Sequence, residues 1–314
     1  MAELSPVDGF IRKAYEHLKE GKPVEGRKAL EDALKVDFEH PEVLYALKCL
    51  GWWLEKFAAL DEDESAYSRG VNILSWWNFY YVFLDKIEGN FDSCQYAIRR
   101  FVYSAALNAL LDVQNDGELR HDPELLLFLG RCYKGLGDYE NAAAYLGKAA
   151  GWRREDAAAL AEFADVKALL GDVSAAKALF REAFFINPQA VNLCAMESEL
   201  LQNLVRYTAK EGKEGAAINE WLPVYGALTG VFSVERNLNR LEVSKLEQSI
   251  KALENDLRAG AKNQDELLPR LLNRYLRLMK HYEKNNNAAG VSEIILKIRI
   301  YDDKLYERHK NYLS

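Results

Sequence analysis

Two adjacent segments of the chain, residues 122–155 and 158–189, repeat one pattern with a period of 34 residues. Each carries two helix-like apolar stretches separated by a short turn. Five positions correspond across the two segments: Gly137 with Gly171, Asp138 with Asp172, Ala142 with Ala176, Leu146 with Phe180, and Ala149 with Ala183. A fixed period of this length indicates stacked helix–turn–helix units, in which neighbouring units bury one another's apolar faces.

The first segment resembles the tetratricopeptide repeat, whose pattern combines Leu-Gly-x2-Tyr in one helix with small residues in the next. Residues 129–133 (LGRCY) fit the first helix, and Ala142, Leu146 and Ala149 fit the second. The resemblance implies an all-α fold, a right-handed superhelical array (α-solenoid) of antiparallel helix pairs with a helical C-terminal region. The second segment fits at Gly171, Ala176, Phe180, Ala183 and Pro188 and departs from the pattern at Phe163, Ala164 and Lys167.

Small residues at the helix contacts give this pattern a physical reason. Two antiparallel helices approach to about 8–10 Å only where the side chains between them are small. Gly130, Ala142 and Ala149 would allow that approach. The turn at residues 135–138 (GLGD) predicts a helix that ends at glycine and a following helix whose N-cap is Asp138.

The rest of the chain predicts further helices with weaker repeat character. Residues 7–40 and 75–108 resemble degenerate copies, and an extra helix at about 41–59 and an acidic link at 61–64 lie between them. After Pro188 we expect a helix over about 190–210, one or two helices within 214–259, and a helical hairpin over 264–313. The pattern thus divides the chain into a degenerate, aromatic-rich region (1–118), clear tandem repeats (119–210), and a helical C-terminal extension with a capping hairpin (211–314).

Two features of the C-terminal region have a structural interpretation. Leu246, Ile250, Leu253 and Leu257 recur at 4-3-4 spacing, which predicts a helix packed on the end of the array or a short coiled-coil contact. The hairpin that follows is rich in Lys, Arg and Tyr, as expected for the polar outer face of a terminal repeat.

Composition and charge exclude several function classes. Leu and Ala make up 83 of the 314 residues, which favours helices. The net charge of −7 disfavours nucleic acid as the main partner. The four cysteines have no metal or redox spacing, and no catalytic or phosphate-binding motif occurs, so we expect no enzyme activity, no cofactor and no metal. The N-terminus does not resemble a secretory signal and residues 71–84 are too short to cross a bilayer, so we expect a cytoplasmic protein without membrane insertion.

The resemblance implies a concave groove that binds a peptide or helix of another protein. Carried over to this chain, the ligand-facing positions make a mixed surface that is basic at one end and acidic further on. The candidate groove residues are Phe128, Arg131, Lys134, Glu162, Asp165, Met196, Glu199 and Asn203.

A second candidate surface is aromatic, because residues 45–103 are unusually rich in aromatic side chains. Trp52, Trp76, Trp77 and Tyr80 are the candidate interface residues, and an aromatic core is the alternative. The leading hypothesis is a non-catalytic adaptor or scaffold. The alternatives are a subunit that self-associates through the aromatic region or the helix at 234–257, and a small-molecule sensor or enzyme with a pocket near residues 76–83. The sequence allows a homo-oligomer but does not indicate one.

Overall fold

A computed structural model describes residues 5–61, 63–115, 119, 121–232 and 237–307. Within these residues the chain is helical and contains no strand, and consecutive helices pack in pairs. This confirms the predicted all-α fold of helix pairs. The chain divides into two compact units, Met1–Trp152 and Arg153–Ser314, so the two tandem segments fall into different units. No helix in the described part of the chain is both long and apolar enough to cross a membrane.

The first unit contains seven α-helices in its described residues. Proline at the first turn starts four of them, because proline is preorganised for that position and has no N–H to leave unbonded. The helix predicted at 41–59 is confirmed as the third one. The helices are α1 (Pro6–Lys19), α2 (Pro23–Val36), α3 (Pro41–Ala58), α4 (Ala66–Leu84), α5 (Asp92–Asn115), α6 (Pro123–Gly135) and α7 (Tyr139–Trp152).

The turn between α6 and α7 forms as the sequence predicts. Gly137 has a positive φ of 78° and donates its N–H to the Lys134 carbonyl, and Asp138 N–H bonds the Tyr133 carbonyl. This is the Schellman arrangement that satisfies the last carbonyls of a helix. The Asp138 carboxylate then accepts the Asn141 N–H and caps α7.

The second unit repeats this turn 34 residues later. Gly171 has a positive φ of 83° and Asp172 N–H bonds the Lys167 carbonyl, while the Asp172 carboxylate accepts the Ala175 N–H. The same capping chemistry therefore closes both helix pairs. The described helices of this unit are α8 (Ala157–Leu169), α9 (Val173–Ile186), α10 (Glu199–Lys210), α11 (Ala216–Leu228), α12 (Arg240–Arg258), α13 (Gln264–Lys284) and α14 (Ala288–Tyr301).

The helix predicted over 190–210 is wrong in its first half. Two 3₁₀ turns, Pro188–Ala190 and Leu193–Ala195, occupy that stretch, and α10 begins only at Glu199. Asn192 explains part of the change, because its side chain accepts the Cys194 N–H and competes with helix formation. Met196 therefore lies outside any helix.

The C-terminal helices follow the sequence more closely. The predicted hairpin is present as α13 and α14. Leu246 and Ile250 of α12 are buried, and α12 packs against α13, so the apolar stripe serves the chain's own core. Part of the segment named for self-association, residues 234–236, lies outside the described residues.

Candidate binding sites

The groove positions of the first unit lie on α6. Phe128 and Arg131 are partly exposed, and the Arg131 guanidinium carbon lies 5.7 Å from the centre of the Phe128 ring. Tyr67 of α4 packs edge-on against the same ring at 6.2 Å. Lys134, one turn further on, is buried. The first unit therefore offers a small surface that is both apolar and cationic, which suits an aromatic–arginine contact.

The groove positions of α8 in the second unit are buried. Glu162 and Asp165 are 2% and 0% exposed, and Met196 is 3% exposed. The Asp165 carboxylate accepts two backbone N–H groups at 2.9 Å, from Glu197 and Ser198. A carboxylate placed this way holds the segment that leads into α10, so the structure gives Asp165 a structural task at the start of that helix.

Glu199 and Asn203 are exposed on α10, and Asn203 accepts a hydrogen bond from Arg206. Beside them, Gln202 and Val205 line an open pocket of about 670 Å³. The opposite walls are the 3₁₀ segment and the start of α11. The lining residues are Gln189, Ala190, Val191, Asn192, Leu193, Cys194, Gln202, Val205, Gly215, Ile218 and Asn219. Because the sequence predicted a helix over 190–198, it did not predict this pocket.

Side-chain amides from the pocket's own wall hold its shape. Asn219 donates to the Pro188 carbonyl at 2.9 Å and to the Val191 carbonyl at 2.8 Å. Gln189 donates to the Ala216 carbonyl and to Glu220. Because these bonds join the 3₁₀ segment to α11, the pocket is formed in the absence of any ligand.

The pocket lining combines apolar side chains with amide groups and one thiol. Val191, Leu193, Val205 and Ile218 would accommodate an apolar side chain, and Gln202 lies beside them. The described residues that line it include no acidic, basic or histidine side chain. Throughout the described ranges, no group of three or more His, Cys, Asp or Glu residues is arranged to hold a metal ion. The apolar and amide groups of the lining therefore suit recognition of a side chain.

Cys194 gives this pocket a chemical reporter. It is exposed, whereas Cys49, Cys94 and Cys132 are buried. We expect one thiol of the native protein to react rapidly with a disulfide reagent such as Ellman's reagent, and the other three to react only when the chain unfolds. The Cys194→Ser variant should lack the rapid phase, and a rapid phase that persists in it would contradict the burial of the other three thiols.

The candidate aromatic interface of the first unit is mainly internal. Tyr80 is fully buried, and Trp52, Trp76 and Trp77 are partly buried against the core. Trp52 lies 5.3 Å from Tyr80 between ring centres. Sequence reasoning missed Phe79, which lies next to Tyr80 on α4 and is 62% exposed. Neighbouring positions on a helix point about 100° apart, so the sequence alone did not show which ring faces outward.

A buried polar network lies behind these rings. Gln95 donates to the hydroxyls of Tyr45 at 2.7 Å and Tyr80 at 3.2 Å. A hydrogen bond from Cys94 lowers the pKa of Cys49 to about 7, and burial raises the pKa of Tyr80. Since these groups satisfy one another inside the core, they stabilise the unit.

The helix pair formed by α6 and α7 matches a known repeat family. Residues 123–156 match the family model described as tetratricopeptide repeat. This segment is a tetratricopeptide repeat. The match covers the two helices that meet closely at Gly130 and Leu146, and one such repeat is detected in the chain. No curated protein matches the chain.

Tetratricopeptide repeats are protein-interaction modules, so the match indicates a protein-binding role in general terms.

Proposed function

We propose that the protein is a non-catalytic adaptor that binds a peptide or helix of another protein. The tetratricopeptide repeat at 123–156 carries this proposal, since repeats of this kind present helix faces to protein partners. Within the first unit, the other helices support the same role, because α6 also packs against α5 and extends the helical surface. The match identifies the fold of this segment, whereas support for the binding site comes from the residues of the site itself.

The pocket beside α10 supports the proposed binding site in the second unit. It is open and preformed, and its volume of about 670 Å³ suits the side chain of a bound segment. Glu199 and Asn203 lie on the exposed side of the same helix, where they would contact the rest of that segment. Asp165 and Glu162 are then supporting residues of this surface. On α6, Phe128 and Arg131 form a separate candidate contact of the first unit.

The chemistry of the pocket supports a binding role over an enzymatic one. Apolar side chains would bury a partner's apolar group, and Gln202 and the amides of the wall would orient it. Polar groups on the rim, such as Glu199, would select among partners through charge. We infer that affinity depends on the pocket and choice of partner on the rim.

Photo-crosslinking at the rim tests this proposal. A benzophenone label on Asn203→Cys, in a Cys194→Ser background, places the reactive group beside a pocket that carries no label itself, and Cys194→Ser changes one lining atom only. We expect the label to capture a defined protein from native lysate, and Val205→Arg to reduce that capture at least about tenfold, because a charged side chain would then occupy the pocket.

The matched control carries the same label on Ser292→Cys, also in the Cys194→Ser background. Ser292 is exposed on α14, away from the pocket lining. A partner captured at both positions, or captured equally with and without Val205→Arg, would refute binding at this pocket. The captured protein should then bind the unlabelled chain in purified form.

A further inference from the structure

Three arginines lie along one face of α13, at positions 270, 274 and 277. Their spacing of four and three residues places them on the same side of the helix. Sequence reasoning assigned the basic residues of this hairpin to a polar outer face. In the structure, this row instead packs against neighbouring helices: the side chains of Arg270 and Arg277 are only 29% and 10% exposed.

The outer two arginines each have a carboxylate partner. Arg270 binds Glu220 of α11 through two parallel hydrogen bonds, of 2.9 Å from Nε and 2.6 Å from Nη2. Arg277 donates from Nη2 to Glu182 of α9 at 3.2 Å. Both charges at the ends of the row are therefore compensated.

The middle arginine has no carboxylate partner among the residues described. Arg274 donates from Nε to the Ser249 hydroxyl and from Nη1 to the Arg270 carbonyl, and its guanidinium carbon lies 5.2 Å from the centre of the Phe185 ring. These contacts fix the position of the group without neutralising it. Its Nη2 group makes no hydrogen bond within the described part of the chain.

The surroundings of Arg274 are electrostatically unfavourable. Burial lowers the pKa of Arg274, the charges of Arg270 and Arg277 lower it further, and the charge of Glu220 offsets only part of this. An arginine nevertheless stays protonated at neutral pH, so the row keeps a cation that its neighbours repel. Arg277 adds to this, because its Nη1 is buried and has no hydrogen-bond partner among the described residues.

We propose that Arg274, held between Arg270 and Arg277, binds the carboxylate group of a ligand. Arg270 and Arg277 each face a carboxylate, whereas Arg274 forms no ion pair among the described residues, so its guanidinium is available to an anionic group. Glu266, 3.7 Å from Arg270, adds a second carboxylate to that arginine and not to Arg274. The planar Nη2 and Nη1 donors suit the two oxygens of such a group.

Thermal unfolding at constant ionic strength tests the site. Sodium acetate and the blocked peptide acetyl-Ala-Glu-Ala-amide are each compared with sodium chloride. We expect an added rise in Tm of about 2 °C for the wild type, because a ligand of the native state stabilises it. We expect no added rise in Arg274→Gln. A larger rise with the peptide would identify an acidic side chain as the ligand, and a larger rise with acetate would identify a small acid.

Two controls separate a binding role from a structural one. Lys280→Gln removes the same charge from an exposed position of α13 and should respond like the wild type. In chloride alone, Arg274→Gln should unfold at or above the wild-type temperature, because it removes a cation flanked by like charges. The proposal would be overturned if acetate and the peptide raised the Tm of Arg274→Gln as much as that of the wild type. It would also be overturned if neither raised the Tm of the wild type. A larger response to phosphate than to acetate would overturn the assignment to a carboxylate.

Discussion

Replacing Arg270 with methionine is expected to lower the free energy of unfolding of the second unit by about 3 kcal/mol, because the substitution leaves a buried carboxylate without its cation. Glu220 is 1% exposed, and Arg270 supplies both of its parallel hydrogen bonds. Gln189 would remain as the other partner of Glu220, and a neutral amide cannot offset the full charge. Urea unfolding followed by circular dichroism measures the loss.

An exposed arginine provides the matched control. Arg258 is 70% exposed and lies 3.7 Å from Glu254, so Arg258→Met should cost less than about 1 kcal/mol. The double variant Arg270→Met with Glu220→Leu should recover most of the loss, because it removes both charges from the interior. A loss in Arg270→Met no larger than in Arg258→Met would show that water or another group compensates Glu220.

Arg270 and Arg274 lie one turn apart on the same helix, yet the expected effects of removing them differ. Arg270 neutralises the buried Glu220 carboxylate, so removing Arg270 leaves that charge unpaired and destabilises the unit. Arg274 has no carboxylate partner among the described residues, so its loss removes a repelled charge. Comparing these two variants in chloride therefore separates a structural arginine from one available to a ligand.

The helix pairs were predictable because local rules agree with tertiary packing there. Gly137 and Gly171 adopt positive φ where the sequence places helix ends, and the aspartates that follow cap the next helices. At each site the turn chemistry, the small contact residues and the period indicate the same structure. No contact with a distant part of the sequence is needed to form these turns.

The segment after Pro188 could not be predicted because the deciding bonds are both local and distant. Asn187 and Asn192 each accept an N–H from two residues further on, which favours turns over a helix. Asn219 then bonds the Pro188 and Val191 carbonyls from about thirty residues away. An apolar pattern at 190–198 fits a helix equally well, and only the partner in α11 decides between them.

Burial of the candidate groove residues was also beyond sequence reasoning. The repeat pattern assigns Asp165 to a ligand-facing position, but the shortened α10 brings the Glu197 and Ser198 N–H groups onto its carboxylate. The position of a residue in a helix determines the direction of its side chain but not which groups lie in that direction. The exposed positions Glu199 and Asn203 keep their proposed role.

Replacing Gly130 with alanine is expected to lower the free energy of unfolding by about 1–3 kcal/mol, because the added methyl would overpack the contact between α6 and α7. A Cβ at this position would lie 2.5 Å from Leu146 Cγ and 3.2 Å from the Leu146 backbone nitrogen. Since backbone as well as side chain must move, a rotamer change at Leu146 cannot relieve the clash. Thermal and urea unfolding would show the loss.

Gly151 is the matched control for Gly130. It is helical in α7 and exposed, and nothing lies within 4 Å of an added Cβ. Gly151→Ala should therefore raise the free energy of unfolding by up to about 1 kcal/mol through helix propensity alone. If both glycine variants are stabilised, the helix contact is looser than the structure shows.

A double-mutant cycle locates the cost of the Gly130 variant. Leu146→Ala alone should cost about 2–5 kcal/mol by leaving a cavity in the α6–α7 contact. In combination with Gly130→Ala, the loss should be smaller than the sum, because the alanine methyl would partly fill the space that Leu146 vacates. Additive losses would place the effect of Gly130→Ala elsewhere in α6. A favourable coupling would show that close approach at Gly130, the physical basis of the repeat signature, holds this helix pair together.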